Sequence, residues 1–404
     1  MNLRRASLGE AAVHTSGCAA PRHAAPTAID LFCGAGGLTL GLKQAGFSVL
    51  AAVDNDPLAI ETYRQNHPEV ITWCRDIRAL APMEVMQSVG FRPGDLDLLA
   101  GCPPCQGYSM MRTLNGSRTV DDDRNGLARD FLRFVKALLP KVVMMENVPG
   151  LATDAIMAEG LRQLEGLGYF TGFHLGDMTV SGGGSQVVRI LDAAEYGVPQ
   201  RRRRMLLLTG RFGAVPFAPA DLTRATVWDT IGRLPAPGSG YDPLHNCTEK
   251  RSERIRGLIG KIPRDGGSRS SLGVDEQLAC HRACTGFKDV YGRMSWGKVA
   301  PTITSGCTNP SKGRFLHPEQ DRAITLREAA LLQSFPADYS FSPQQGKQGA
   351  ARLIGNAIPP EFARRQAVKI REYLQAEQST AGDDLPPESQ AVPERREVLE
   401  NDKH

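Results

Sequence analysis

The feature that most restricts what this chain can become is the alternation of two hydrophobic patterns across its first 210 residues. Six short apolar runs read as strands: "TAIDLF" (27–32), "SVLAAVD" (48–54), "ITWCRDI" (71–77), "DLDLLAG" (95–101), "KVVMMENV" (141–148) and "RMLLLTG" (204–210). Between several of them, 37–46, 57–66 and 128–139 carry helical periodicity. Strands that are apolar at nearly every position have no solvent face, so they predict a mainly parallel α/β sheet covered by helices on both sides. In such sheets ligands bind beyond the carboxyl ends of the strands. That rule singles out Phe32 to Gly37, Asp54, Asp76, Cys102 to Cys105 and Glu146.

After about residue 215 the pattern dissolves into loops rich in Gly, Pro, Ser and Arg, and helical periodicity returns at 325–335 and 359–375. The predicted organisation is a tail over 1–24, an α/β unit over 25–214, an irregular unit over 215–322, a helical return over 323–375 and a disordered acidic tail over 376–404. Residues 201–330 hold 22 Lys or Arg against 12 Asp or Glu, a net of +10, whereas 375–404 holds 3 against 8, a net of −5. A basic block of that size attracts polyanions and fits nucleic acid. No run approaches the roughly 18 apolar residues of a membrane helix, and residues 1–24 contain no signal-type apolar segment, so no membrane role and a cytoplasmic location are expected. The nine irregularly spaced cysteines are expected to be free thiols.

Three stretches carry chemistry. "DLFCGAGGLTLGL" (30–42) passes from a strand into a helix, and Gly34, Gly36 and Gly37 let the backbone turn sharply against a ligand. Thr39 occupies the third glycine's place in G-x-G-x-x-G, which argues against a dinucleotide site. Asp54, about twenty residues on, can accept from both ribose hydroxyls. The two together suit a nucleoside-bearing cofactor without a pyrophosphate, such as S-adenosylmethionine. "GCPPCQGYS" (101–109) sets two thiols around two prolines. Its alternatives are a redox pair, half of a metal site or one nucleophile. The only other clustered cysteines, "CHRAC" at 280–284, have poor ligand spacing, so no metal is expected. Pro104 stiffens the turn beside Cys105, which favours a single nucleophile there. In "ENVPG" (146–150), Glu146 closes a strand where a carboxyl can exchange a proton, unless Asn147 merely makes a turn and leaves it solvated. In "PQRRRR" (199–204), alternate arginines face the strand-end cleft.

The ordered set "DLFCGAGGLTLG", "VDND", "DI", "GCPPCQGYS", "ENV", "QRRRR", "LREAALLQSFP" and "GNAIPP" resembles the C5-cytosine DNA methyltransferases, above all the bacterial restriction-modification enzymes that are little more than a catalytic core. The resemblance covers about 27–375, except the basic middle. It implies a Rossmann-like, S-adenosylmethionine-dependent methyltransferase domain with a smaller irregular target-recognition domain at about 215–322. By position, Cys105 matches the nucleophile that adds to C6 of cytosine and Cys102 matches no catalytic position. Glu146 matches the group engaging N3 and the exocyclic amine, and Arg202 and Arg204 match the alternating arginines, Arg204 being the one at the base carbonyl. The matched cofactor positions are Phe32, Gly34, Gly36, Gly37, Leu38, Asp54, Asn55, Asp76, Ile77, Pro104, Asn356 and Ala357. Among these, Asp54 is matched to the ribose, Asp76 to the adenine amine and Asn356 to the methionine carboxylate. Gln106, Ser109, Gln200, Thr302 and Thr304 are expected to touch DNA, and Gln106 to about Gly126 to close over it as a lid. Asp54 stands where glutamate is frequent in the family, which shortens the reach to ribose.

The implied partners are double-stranded DNA, with the target cytosine flipped out of the helix, and a companion restriction endonuclease acting on the same site. The chain itself is expected to be a monomer. A tRNA cytosine methyltransferase of the same lineage would carry a "CFT" tripeptide, which this sequence lacks. A catalytically silent DNA-binding relative would have no reason to keep Cys105, Glu146, Arg202 and Arg204 together.

Overall fold

Each of the six apolar runs holds a strand in the computed structural model, which describes residues 25–104, 126–172, 186–246, 251–282, 289–342 and 346–383. They are β1 (Thr27–Leu31), β2 (Ser48–Asp54), β3 (Ile71–Cys74), β4 (Leu98–Gly101), β5 (Val142–Asn147) and, after a strand the pattern does not reveal, β7 (Arg203–Gly210). The unforeseen strand is β6 (Val188–Asp192), at the sheet's edge. The sheet order is β3-β2-β1-β4-β5-β7-β6. Strands β1 to β5 run parallel, whereas β7 is antiparallel to both β5 and β6. Every residue of β1, β4 and β5 is buried, as two-sided helical cover requires, while edge strand β3 is half open to solvent.

Helices α1 (Gly37–Gln44), α2 (Pro57–Asn66), α3 (Pro82–Ser88), α4 (Leu127–Leu138) and α5 (Ala155–Gly166) occupy the connections. The start of α2 is set by Asp56, whose carboxylate accepts from the Leu58 N–H at 3.1 Å, and by Pro57 in the first turn. On α4 the apolar face of Phe131, Phe134, Val135 and Leu138 lies on the sheet. The remainder supplies α6 (Val227–Ile231), α7 (Glu253–Lys261), α8 (Leu326–Leu332), α9 (Gly346–Asn356) and α10 (Pro360–Asp383). A reciprocal cap starts α8: Thr325 Oγ1 accepts from the Glu328 N–H at 3.1 Å, and Glu328 accepts from the Thr325 N–H at 2.7 Å. Helix α10 lies along α1 and continues to Asp383, past residue 376 where the sequence pattern placed the onset of disorder. Ala376 and Glu377 are good helix formers, and extending an established helix adds one hydrogen bond per residue fixed.

The irregular segment shares its core with the helices that follow it. Val227, Ile231, Ile303 and Phe315 are packed in one buried cluster with Leu326, Phe335 and Ile354, and that cluster reaches Ala35 and Leu58 beneath the sheet's carboxyl edge. A smaller cluster of Leu258, Ile259, Ile262, Leu272, Tyr291 and Leu316 stands apart from it. Arg293, fully buried beside this second cluster, donates to the carbonyls of Ile259, Ile262, His317 and Gln320 and pairs with Asp321. Its planar fork therefore substitutes for regular secondary structure in a segment that has little. Among the described residues no helix is long and apolar enough to cross a membrane, and no group of His, Cys, Asp and Glu is arranged to hold a metal ion.

Candidate active site

A cleft of about 570 Å³ opens past the carboxyl ends of β1, β2, β4 and β5. Its volume lies in the range of small-molecule sites. Phe32, Gly34, Gly37 and Leu38 form one wall, Asp54, Asn55, Asp76 and Ile77 a second, and Asn356 and Ala357, at the end of α9, a third. Pro104, Glu146, Arg202 and Arg204 line the same space. The turn after β1 is unusual in backbone as well as sequence: Phe32, Gly34 and Gly36 have φ of 61°, 54° and 92°. Positive φ of this size costs a bulky L-residue energy, and surrounding structure must impose it. Asp54 contributes to that, since its carboxylate accepts from the N–H of Gly34 and of Asp56, each at 2.9 Å. Burial pushes the Asp54 carboxyl above the usual carboxylate range. Asp76 accepts from the Arg78 N–H at 2.9 Å and pairs with its guanidinium at 2.6 Å, contacts that hold its carboxyl below the usual range. Ile77 is buried, and its carbonyl accepts from Arg133 at 2.6 Å.

The floor is made where β5 meets β7. Because β7 runs antiparallel to β5, its first residues lie beside the last residues of β5: Glu146 pairs across the ladder with Leu206, and Asn147 with Met205. Arg204 Nε consequently stands 2.9 Å from Glu146 Oε1. That approach makes a close ion pair at the end of β5. Arg202 is 3% exposed. Its Nη1 donates to the carbonyls of Ile303 and Gly355, both at 3.2 Å, while its Nε is buried without an acceptor. Burial, then the neighbouring Arg204 charge, push the Arg202 guanidinium down to about 9, which still leaves it a cation near neutrality. Cys102 also lines the cleft, and burial, then the Glu146 carboxylate, push its thiol well above the ordinary range. It is therefore a protonated, weakly nucleophilic group. Asn147 Nδ2 donates to the Pro103 carbonyl at 2.8 Å, so the end of β5 holds the backbone that leads toward Cys105.

Not every expected residue is brought here. Cys105, Gln106 and Ser109, with the expected lid from Gln106 toward Gly126, lie outside the described residues up to 125. Gly36 faces away from the cleft, with its missing side chain toward His67 and Tyr339. Gln200, expected on a DNA-contacting surface, is fully buried: it donates to the Leu332 carbonyl at 3.2 Å and to Gln333 Oε1 at 2.7 Å, and accepts from the Ile303 N–H at 2.6 Å. With its amide consumed internally it has no surface from which to reach DNA, and its work is to fix the backbone at Ile303. Thr302 donates to the Arg201 carbonyl at 2.7 Å, and Thr304 is exposed outside the cleft lining. Sequence reasoning passed over Asn147 as a positioning group, and over Asp56 and Arg352, which form a 2.7 Å ion pair and line the cleft. The i to i+4 spacing of Arg352 and Asn356 on one helix was the available signal for the latter.

Residues 27–372 match the family model of the C-5 cytosine-specific DNA methylases. The Type II methylase M.HgiDII of Herpetosiphon aurantiacus is 34% identical over 362 residues, covering 86% of this chain and 95% of the relative. The Type II methyltransferase M.XorII of Xanthomonas oryzae pv. oryzae is 34% identical over 381 residues, covering 86% and 85%. A crystal structure described as a DNA modification methyltransferase encoded within an E. coli prophage superposes with a TM-score of 0.59 at 25% identity, covering 87% of this chain and 99% of that one. The glycine turn, the strand-end carboxylates and the Glu146–Arg204 pair thus stand in a chain that belongs to the C-5 cytosine-specific DNA methylase family, whose enzymes depend on S-adenosylmethionine.

Proposed function

We propose that the chain methylates C5 of a flipped-out cytosine in a specific duplex sequence, through a temporary bond between Cys105 and C6 of the base. The observation that carries the reading is the Glu146–Arg204 pair on the cleft floor, Nε to Oε1 at 2.9 Å, with both side chains lining the cleft. A carboxylate and a guanidinium held side by side present an acceptor and a charged donor at one spot, which suits the polar edge of a bound base. The walls fit the cofactor as well: the glycine turn brings Gly34 and Gly37, which have no side chain, to the cleft lining, and Asp54 ends its strand with a carboxylate in the same lining. Asp54 would hold the ribose, Asp76 the adenine amine, Phe32 and Ile77 the ring faces, and Asn356 the amino-acid tail. When bound, S-adenosylmethionine supplies an electrophilic methyl group.

The residues of the chain then have separable tasks. The sulfur of Cys105 adds to C6, because the aromatic C5 is a poor nucleophile until that addition has taken place. Glu146 engages N3 and the exocyclic amine, and Arg204 engages the base carbonyl, so that electron density reaches C5 as the sulfur adds. After C5 is alkylated, loss of its proton and departure of the Cys105 sulfur restore the ring. Residues 215–322 supply base contacts through their basic surface, and phosphate neutralisation supplies most of the affinity. We further place the protein in the cytoplasm as a monomer, within a restriction-modification pair whose endonuclease cuts the same site. The Type II names of the two bacterial relatives support that pairing.

Radiolabelled methyl transfer to mixed-sequence DNA tests the reading. Cys105→Ala is expected to lose transfer entirely and Cys102→Ala to keep most of it, while equal loss in both would restore the dithiol alternative. Duplex DNA with 5-fluorocytosine at a methylated site should give a denaturation-resistant adduct, since the fluorine cannot leave as a proton does.

A further inference from the structure

The end of α2 and the turn after α8, 272 and 274 positions apart in sequence, are tied by a two-residue clasp over the back of the glycine turn. Asn66 Nδ2 donates to the Ser340 carbonyl at 2.9 Å, and Asn66 Oδ1 accepts from the Ser340 N–H at 2.9 Å. Next to it His67 Nε2 lies 3.0 Å from Tyr339 Oη, and Tyr339 Oη donates to the Ala35 carbonyl. Both side chains are buried, at 1% and 4% exposure. A phenol has one proton and gives it to Ala35, so His67 must be the donor to Tyr339. That fixes the Nε2–H tautomer and leaves Nδ1 to accept from Lys43 Nζ at 3.4 Å. Burial, then the Lys43 charge, push the His67 imidazole down to about 4 and keep it neutral.

Ala35 sits between Gly34 and Gly36, the two glycines of the turn with positive φ. Its carbonyl is thus held from behind at the point where the backbone reverses. A side chain at Gly36 would begin 2.6 Å from His67 Nε2 and 2.8 Å from Tyr339 Oη, so the glycine and the clasp occupy complementary space. The Phe335 and Phe341 rings flank Tyr339 with centroids 4.7 and 5.3 Å away, which limits its rotamers and delivers the hydroxyl at small entropic cost. On the opposite side of the turn, Asp54 holds the Gly34 N–H at 2.9 Å. Asp54 thus grips the turn from the sheet and Tyr339 from the C-terminal return.

We infer that His67 and Tyr339, locked by the Asn66–Ser340 exchange, are positioning residues that set the glycine turn for cofactor binding without touching the cofactor. The inference rests on reading that turn as the cofactor's cradle. Tyr339→Phe keeps the ring and removes the bond to Ala35. S-adenosylhomocysteine binding to the full chain, measured by calorimetry, is expected to weaken about tenfold, the loss of one such hydrogen bond. The turnover rate at saturating cofactor should stay within about twofold. His67→Gln, which keeps an N–H donor, should bind within about threefold of the unaltered protein, whereas His67→Leu should lose about tenfold. Asn66→Ser provides a second, milder variant with a smaller loss in the same direction. A folded Tyr339→Phe protein that binds S-adenosylhomocysteine within twofold of the unaltered chain overturns the inference, as does a lowered melting temperature with unchanged affinity. Asp54→Ala separates the two levels. If it too leaves binding intact, the cradle reading itself falls; if it weakens binding while Tyr339→Phe does not, only the clasp fails.

Discussion

Arg202 and Arg204 are two positions apart on the same edge of the cleft and perform different work. Arg204 meets Glu146 at 2.9 Å, whereas Arg202 spans to the carbonyls of Ile303 and Gly355. Arg204→Ala should therefore lower the turnover rate by about 10²–10³, the usual cost of removing one preorganised charged donor, with S-adenosylhomocysteine affinity unchanged. Single-turnover kinetics alongside calorimetry checks the split, and a loss of cofactor affinity as large as the rate loss would contradict it. Arg202→Lys keeps the charge but loses the planar fork. It should reduce stability by about 1.5–3 kcal/mol in denaturant titration, the scale of a hydrogen bond to a charged group. Period-two geometry showed that alternate arginines face the cleft, and the family resemblance named Arg202 and Arg204 as those two. Neither showed that Gln200 is buried. A glutamine in a polar run looks solvated, and only the long-range approach of Ile303 and Gln333 turns it into an internal strut.

The six apolar strands and helices α1, α2 and α4 were legible, since each carries its own periodicity over enough residues to be read alone. Strand β6 was not. Its residues "VRILD" lie at the sheet edge with Arg189 and Ile190 exposed, so burial leaves little imprint on the pattern. The reversed direction of β7 was equally hidden, because an apolar run reads the same in both directions. Yet that reversal brings the arginines to the carboxyl end of β5; a parallel β7 would carry them to the opposite edge. A comparable long-range constraint acts on α9. A side chain at Gly355 would begin 2.1 Å from the Thr304 carbonyl carbon and 2.3 Å from the Ser305 nitrogen, both of them backbone atoms that cannot rotate away. Gly355→Ala should thus cost at least about 1–3 kcal/mol, the range for overpacking. Thermal unfolding measures it, and an unchanged midpoint would mean that the segment 304–305 gives way freely.

At the scale of the whole molecule, buried titratable groups act on the pH response in opposite senses. Burial pushes His67 and His317 down to about 4 from 6.5, and pushes Asp30 up to about 7 from 3.8. His317 Nδ1 accepts from the N–H groups of Glu319 and Gln320 at 3.1 and 3.0 Å, a geometry open only to an unprotonated nitrogen. Between pH 4 and 6.5 the unfolded chain binds a proton at each histidine that the folded chain excludes, so the histidines make stability rise with pH. Asp30 acts in the opposite sense between about 3.8 and 7, where the folded chain keeps a proton the unfolded chain has released. Asp54, raised by the same cause, acts in the same sense as Asp30. The histidine contribution, a melting temperature that rises from pH 4 toward 6.5, should shrink in the His317→Gln protein, and an unchanged rise would show that His317 does not take part. Asp30→Asn removes one opposing group and should steepen the rise of stability with pH, and an unchanged slope would show that Asp30 is ionised in the folded protein.

The irregular segment is sewn to the catalytic layer near both of its ends. The Ala218 N–H donates to Gln366 of α10 at 3.0 Å, and the Ala300 N–H and Ile303 N–H are held by Pro199 and Gln200 at 2.9 and 2.6 Å. Between those seams lies the small separate cluster around Ile259 and Leu316. Loops between those stitches can change in length and sequence while the hydrogen bonds that fasten the segment to the sheet's side of the molecule stay in place.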